Sequence, residues 1–460
     1  MDADIELNDE FQEAVDLMEN TSQHLFITGK AGTGKSTLLR YFRKQTKKNI
    51  VVLAPTGVAA LNVQGQTIHS FFGLRPGNER EHIHKVKGDK GKVMKNLQTL
   101  VIDEVSMVRA DMMDCIDMAL RLNRGKSHLP FGGVQMIFIG DLYQLPPVVT
   151  YADRHLFEEE YASPYFFSAA VFTKTPFHYI ELEQVYRQKD ETFIEILNRI
   201  RNQCVTDEDL RALNGRYIPG LDVKVGESSI QLTSTNRAAD AINTHALGQV
   251  KEQEFEMKGK VDGKFGKRLP APTSMAIKVG AQVMMLNNDR DKRWVNGSIG
   301  VVLDIKKPIG ALNTLSITVQ LTDGKKVTVE KHTWETVQFV YDEDSGGIQP
   351  LTIGSYVQYP LMLAWAVTIH KAQGKTFDDV VIDVGRGAFA HGQMYVALSR
   401  CTSLEGVTLR APFRREDVLL DKRITVFVDG CKSGEIQKGM EAPVDQSSMD
   451  FEEEIVYEPM

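Results

Sequence analysis

The stretch Gly29-Lys30-Ala31-Gly32-Thr33-Gly34-Lys35-Ser36 fits G-x-x-x-x-G-K-[ST] and directly follows the apolar run Leu25-Phe26-Ile27. Phosphate chemistry requires that order. A strand delivers the loop, glycines let backbone N–H groups close around an anion, and a helix N-terminus faces it. Thr37-Leu38-Leu39-Arg40-Tyr41-Phe42 supplies the start of the helix. In such a loop Lys35 reaches the β- and γ-phosphates and the Ser36 hydroxyl ligates Mg²⁺. Gly29, Ala31, Gly32, Thr33, Gly34 and Thr37 line the nucleotide. From average residue usage, a chance match in a chain this long is about one to two percent. Two further groups complete the chemistry. Val101-Ile102-Asp103-Glu104 sets adjacent carboxylates at a strand end, with Asp103 suited to Mg²⁺ and Glu104 to deprotonating water. Gly140-Asp141-Leu142-Tyr143-Gln144 adds an amide, Gln144, suited to sensing a γ-phosphate without charge. Together these residues describe a nucleotide triphosphate site.

The elements that must position them are legible as apolar runs at His24–Thr28, Asn49–Leu53, Thr99–Ile102 and Gln135–Ile139. They are continuous rather than alternating, as parallel strands buried on both faces are. The first runs into the phosphate loop, the second into Ala54-Pro55-Thr56-Gly57, the third into Asp103-Glu104 and the fourth into Gly140-Asp141. Ligand sites in open α/β sheets lie beyond the carboxyl ends of strands, so the expected class is α/β. An amphipathic helix over 9–20 precedes the first strand, with Phe11, Val15 and Met18 on one face and Asn8 or Asp9 as its cap. A second set of apolar segments, His178–Leu182, Ser229–Thr233 and Asp379–Asp383, predicts a second α/β domain. Within it, short apolar segments at 279–286, 300–305, 315–321 and 326–330 are parted by Asn-Gly, Pro-Ile-Gly and Asp-Gly turns. That texture predicts a small all-β barrel inserted into the second domain. Trp294, Trp334 and Trp365 are expected in cores, not at the site.

Length and charge set the remaining bounds. A chain of 460 residues exceeds one ordinary core, so two large domains with insertions are expected. Cys115, Cys204, Cys401 and Cys431 are scattered without a C-x-x-C pair, which excludes a zinc ribbon or disulfide framework and fits an intracellular protein. The acidic N-terminus does not resemble a secretory signal, and no apolar run approaches membrane-spanning length. Net charge is −7, yet seven acids and no Lys or Arg lie beyond residue 438, so the preceding residues are neutral. A neutral body can hold a basic channel, because affinity for nucleic acid depends on local phosphate neutralisation. The acidic end, 436–460, is expected to be a disordered tail dispensable for catalysis.

The set GKAGTGKST, APTGVAA, GQTIHSFFG, VIDEVSM, GDLYQLPPV, VYRQ, TIHKAQG and MYVALSR stands here in the order found in superfamily-1B DNA helicases. The chain resembles the PIF (petite integration frequency) family, relatives of RecD and the phage Dda helicase, over residues 8–428. The resemblance implies two RecA-like P-loop NTPase domains, 1–65 with 97–177 and 178–271 with 359–435. It implies a small wedge insertion at 66–96 and an SH3-like insertion at 272–358. By the same resemblance Gln12 contacts adenine, and Arg187 and Arg400 reach the γ-phosphate from the second domain. Pro55, Thr56, Gly57, His69, Thr235, Asn236, His370 and Lys371 line the path of single-stranded DNA.

The implied activity is an ATP- and Mg²⁺-dependent helicase that moves 5′ to 3′ on single-stranded DNA and unwinds forked or 5′-tailed duplexes in replication, repair or genome maintenance, as a monomer when free. Two other functions compete with it. A nucleotide-gated DNA-binding protein would not need Glu104, Gln144, Arg187 and Arg400, all of which are present. A motor subunit of a RecD-like recombination complex would share every motif and differ only in its partners.

Overall fold

The computed structural model describes residues 8–434 except 75–82, 151–152, 189, 222–228, 267–268, 307–314, 386 and 389. The expected acidic tail, part of the wedge insertion and the Pro-Ile-Gly turn therefore lie outside the described residues. The chain divides into two units: residues 1–186, 337–352 and 421–460 form the first, and 187–336 and 353–420 the second.

The first unit opens with α1 (Asp9–Asn20), capped by the Asn8 side chain, which accepts from Phe11 N. There follow β1 (Leu25–Gly29), α2 (Lys35–Gln45), β2 (Ile50–Ala54), α3 (Gly57–Asn62), β3 (Gln66–Thr67), α4 (Ile68–Phe72) and α5 (Gly88–Asn96). Then come β4 (Thr99–Ile102), α6 (Ala110–Arg124), β5 (Gln135–Ile139), α7 (Arg154–Glu159) and β6 (His178–Leu182). The strands form one six-stranded sheet in the order β3-β2-β4-β5-β1-β6. All five pairings are parallel. Every residue of β1, β4 and β5 is buried, which is why these strands read as unbroken apolar runs. One side of the core joins Phe11, Ala14 and Met18 of α1 and Leu38, Leu39 and Phe42 of α2 to Leu25, Ile27, Val101 and Ile137 of the sheet.

Two departures from the sequence expectation lie in this unit. The sequence places His178–Leu182 in the second domain, but β6 pairs with β1 along its whole length, from Leu25↔His178 to Gly29↔Leu182. The first sheet therefore reaches Leu182. The wedge boundary at 66 also shifts, because Gln66 and Thr67 pair with Leu53 and Ala54 as the edge of that sheet. At 178–182 the apolar pattern is right and the assigned sheet is not, because the pattern records burial and not which sheet supplies it; Gln66-Thr67 is a two-residue polar strand with no apolar pattern to read.

The second unit begins with α8 (Glu191–Arg201), α9 (Asp207–Asn214), β7 (Ile230–Thr233) and α10 (Asn236–Gln249). A run of strands follows: β8 (Glu254–Lys258), β9 (Lys260–Gly263), β10 (Ser274–Lys278), β11 (Gln282–Met285), β12 (Ile299–Lys306), β13 (Ser316–Leu321) and β14 (Lys326–Val329). It continues through β15 (His332–Asp342), β16 (Gly347–Gln358), β17 (Leu361–Leu363) and β18 (Ala366–Thr368). The chain then forms α11 (Ile369–Ala372), β19 (Val380–Asp383), α12 (Gln393–Leu398) and β20 (Val407–Leu409) before α13 (Lys422–Ser433) rejoins the first unit.

A four-stranded sheet, β18-β7-β19-β20, carries the α/β part of this unit. The insertion is a five-stranded antiparallel sheet, β14-β13-β12-β11-β17, accompanied by the small sheets β10-β8 and β15-β16-β9. It starts at β8, before the expected 272. The tip of the β15–β16 hairpin, 337–352, groups with the first unit, where Asn49 Nδ2 donates to Gly346 O at 3.1 Å. Trp294, Trp334 and Trp365 are all buried. Among the described residues no helix is long and apolar enough to cross a membrane.

Candidate nucleotide and nucleic-acid site

The loop between β1 and α2 is built on glycines that no other residue replaces without strain. Gly32 and Gly34 both have φ +88°. A Cβ at Gly29 would lie 2.5 Å from Leu182 O and 2.6 Å from Thr33 Oγ1. Leu182 belongs to β6, so the neighbouring strand itself excludes a side chain at the start of the loop. Lys35 Nζ donates to Gly29 O at 2.7 Å and Lys30 O at 2.9 Å, and so rests on the carbonyls of its own loop. An anion inside the loop would compete for that ammonium.

At the end of β4, Asp103 N donates to Leu53 O of β2 at 2.9 Å, and the Asp103 carboxyl is buried. Burial, followed by the Glu104 charge beside it, pushes its pKa up to about 7, against a smaller opposing pull from Lys35. Glu104 has φ +53°, a left-handed backbone that costs a non-glycine residue of order 1–3 kcal/mol and persists only where surrounding structure enforces it. The segment that follows packs closely on the residue after β5: a Cβ at Gly140 would sit 3.0 Å from Val105 N and 3.2 Å from Ser106 N. The chain after Glu104 is thus pressed onto the end of the next strand. Beyond Gly140, the Asp141 carboxylate accepts from Tyr143 N at 3.2 Å and from Gln144 Nε2 at 3.1 Å. Asp141 was not among the expected site residues, yet it fixes the loop that carries Gln144. Lys35, Ser36, Asp103, Glu104 and Gln144 accordingly stand at the carboxyl ends of β1, β4 and β5, which are consecutive in the sheet.

An aromatic pair that motif reasoning missed flanks the same loop. A Cβ at Gly34 would meet the Phe11 ring at 3.1 Å and Tyr186 Cδ2 at 3.9 Å. Tyr186 N donates to Gly32 O at 2.9 Å and its hydroxyl to Gln184 Oε1 at 2.9 Å, while the residue stays 51% exposed. An anchored, open ring beside a phosphate loop can stack a planar base. The sequence signal was present, since Tyr186 adjoins Arg187 in VYRQ. Gln12 lies next to Phe11 on α1 and is exposed.

The residues expected on DNA lie at four helix starts that share one local geometry, two of them capped by Thr67 and Thr368, which were not among those expected. Thr56, Thr67, Thr235 and Thr368 each cap a helix, accepting from Ala59 N, Ser70 N, Ala238 N and Lys371 N at 3.2, 3.3, 3.3 and 3.2 Å. Each helix follows a strand end, at β2, β3, β7 and β18. A threonine cap satisfies one of the free N–H groups and leaves the others to an anion. Pro55, Gly57 and His69 sit at the two junctions of the first unit, and Asn236, His370 and Lys371 at the two of the second. The tripeptide Thr-Ile-His recurs at 67–69 and 368–370, the sequence trace of this equivalence. Burial holds the His370 pKa below its ordinary value, which favours the neutral imidazole. Asn236 Oδ1 is buried with no hydrogen-bond partner.

In the second unit, Arg187 Nη1 donates to Ser399 O at 3.4 Å and Gln188 Nε2 to the same oxygen at 3.0 Å. Arg400 is 1% exposed. Its guanidinium donates to Val396 O at 2.9 Å, Ser399 Oγ at 2.8 Å and Lys375 O at 3.4 Å. Arg187 and Arg400 therefore converge on Ser399.

Residues 6–211 match the family model for PIF1-like helicases. The chain is 32% identical over 435 residues to the ATP-dependent DNA helicase Pif1 of Bdellovibrio bacteriovorus, covering 92% of each chain. It superposes on the crystal structure of Bacteroides sp. Pif1 in complex with ADP-AlF4 with a TM-score of 0.87 and 36% identity, covering 94% of this chain and 99% of that one. Bacteroides Pif1 in complex with ADP-AlF3 and single-stranded DNA matches with a TM-score of 0.67 and 36% identity, covering 94% of this chain and 99% of that one.

Proposed function

The chain belongs to the PIF1-like helicase family and is an ATP-dependent DNA helicase; on that premise we propose that it moves 5′ to 3′ along single-stranded DNA and opens forked or 5′-tailed duplexes. The observation that carries the ATPase half of this reading is the gathering of Lys35, Ser36, Asp103, Glu104 and Gln144 at consecutive strand ends. Lys35 would leave the carbonyls of Gly29 and Lys30 for the β- and γ-phosphates. Glu104 would take the proton of the attacking water, held in place by its enforced backbone. Gln144, oriented by Asp141, would sense the γ-phosphate, and Arg187 and Arg400 would stabilise the charge on it in the transition state. Tyr186 and Gln12 would hold the base.

Mg²⁺ fits the donors present. Mg²⁺ suits such a site because it takes one or two protein oxygens and completes its shell with phosphates and water. Ser36 Oγ and the Asp103 carboxylate would be those oxygens, and the ion would supply charge neutralisation on the β- and γ-phosphates. Its charge would also draw the raised Asp103 pKa back down.

DNA would lie on the four threonine-capped helix starts, with phosphates on free N–H groups. The buried Asn236 Oδ1 lacks a donor that a bound nucleic acid could supply. The test is strand displacement with matched duplexes carrying a 5′ or a 3′ single-stranded tail. Opening of the 5′-tailed duplex alone is expected, and preferential opening of the 3′-tailed duplex would refute the polarity.

A further inference from the structure

The segment that leaves β6, residues 183–186, is tied to the first turn of α1 by hydrogen bonds that the motifs do not include. Glu183 N donates to Glu10 Oε2 at 2.9 Å, and Asn8 Nδ2 donates to Gln184 Oε1 at 3.3 Å. Asn8 also caps α1, its Oδ1 accepting from Phe11 N at 2.9 Å. One amide side chain therefore starts the helix with its oxygen and holds the neighbouring segment with its nitrogen. Gln184 Oε1 accepts a second time, from the Tyr186 hydroxyl at 2.9 Å. An amide oxygen has two lone pairs; here one faces α1 and the other the tyrosine. All of these residues belong to the first unit.

Tyr186 is held at both ends. Its backbone N–H donates to Gly32 O in the phosphate loop at 2.9 Å and its hydroxyl to Gln184, yet the residue is half-exposed. An open tyrosine samples several rotamers, and a base that stacks on it must stop that motion at an entropic cost. Fixing the ring beforehand removes the cost. Gln12 stands on α1, so the bond from Asn8 sets the helix that carries Gln12 against the segment that carries Tyr186. Gln184 is common to both. It is exposed, uncharged, outside the VYRQ stretch and not part of the buried core. We propose that Gln184 is a positioning residue for the nucleotide base: its side-chain oxygen fixes the Tyr186 ring and the start of α1 as one pre-ordered base site. This rests on the reading of Tyr186 and Gln12 as base contacts in the preceding section, and adds the residue that orders them.

The consequences are specific. Gln184 acts on the ring through the Tyr186 hydroxyl, so Tyr186→Phe should reproduce part of the loss seen in Gln184→Leu. Once Gln184 is gone, removing the hydroxyl should cost nothing more, because partners in one interaction are not additive. The loss should also reside in the base. Inorganic triphosphate fills the phosphate loop without a base, and its binding should not depend on Gln184. At saturating ATP the groups around the phosphates are untouched, so kcat should not change.

The experiment uses the full chain with saturating oligo-dT and measures kcat and KM for ATP, together with competitive inhibition by a non-hydrolysable ATP analogue and by inorganic triphosphate. Gln184→Leu should raise KM for ATP and weaken the analogue by about three- to tenfold, the worth of one hydrogen bond, with kcat and inhibition by triphosphate as in the wild type. Tyr186→Phe should raise KM by a smaller factor, and the double variant should match Gln184→Leu. An unchanged KM in Gln184→Leu, equal weakening of the analogue and triphosphate, or additive losses in the double variant would overturn the proposal. Should Gln184→Leu misfold, Tyr186→Phe still decides, since it keeps the ring and loses only the hydroxyl; an unchanged KM there has the same force. Tyr186→Ala separates the two readings. If it raises KM while Gln184→Leu and Tyr186→Phe behave as wild type, the base site stands and the role of Gln184 falls; if it leaves KM unchanged, the base site falls and this proposal with it.

Discussion

Acid should loosen the strand that delivers the phosphate loop, and His24 is the cause. Its ring is half-buried at the head of β1, 5.5 Å edge-on from Phe131, and its Nδ1 accepts from Met136 N of β5 at 3.0 Å. An accepting Nδ1 has no room for a second proton, and burial lowers the pKa from 6.5 to about 4. Between those values the unfolded chain binds a proton that the folded chain does not, so stability rises with pH across the window and is lost as pH falls from 6.5 to 4. At about 1.4 kcal/mol per tenfold, the full loss is about 3 kcal/mol. His24→Asn isolates the effect, because the amide oxygen can still accept from Met136 while nothing titrates. The variant should be less stable at pH 7 by about 1 kcal/mol for the lost ring contact, yet its stability should fall far less between pH 6.5 and 4. The measurement is hydrogen exchange of the 25–29 amides during urea unfolding at several pH values. The protein carries its own control, since all three tryptophans lie at 294, 334 and 365, in the second unit. Tryptophan fluorescence should therefore show the same pH dependence in both proteins. Equal pH slopes of β1 stability in wild type and variant would refute the reasoning.

Three further outcomes follow from the site. Glu104→Gln should bind ATP and oligo-dT but lose DNA-stimulated hydrolysis by about 10²–10⁴-fold, read by steady-state turnover beside nucleotide binding; near-normal turnover would remove Glu104 as the base. Arg400→Ala should keep oligo-dT affinity and lose turnover by about 10³–10⁵-fold, with Lys a poor substitute because a point charge lacks the planar fork; strong DNA stimulation surviving in the variant would show that coupling bypasses Arg400. Tyr186→Ala should raise KM for ATP through loss of about 1–3 kcal/mol of base stacking while leaving oligo-dT affinity intact, and an unchanged KM would place the base elsewhere.

The sequence by itself determined whatever depends on near neighbours. The phosphate loop, its strand and its helix are one continuous stretch, so spacing alone located Lys35 and Ser36. The runs at 99–102 and 135–139 gave β4 and β5 residue for residue, because a strand covered on both faces must be apolar throughout. Only the tertiary structure decided what depends on partners far along the chain. The apolar run at 178–182 would look the same in either sheet, and its pairing with β1 came from packing between segments about 150 residues apart. Strand β9 is exposed throughout and β8 turns only Phe255 and Met257 toward the core, an alternation too short to mark the start of the insertion. The left-handed backbone of Glu104 is not a conformation that a glutamate favours by itself, and the close approach of Gly140 to Val105 and Ser106 appears only in the folded chain. Tyr186 beside Gly34, and Gln184 bonded to Asn8, are meetings of loops from separate elements. A motif records which residue types recur in order; the field, burial and strain each one feels are set by groups that reach it only once the chain has folded.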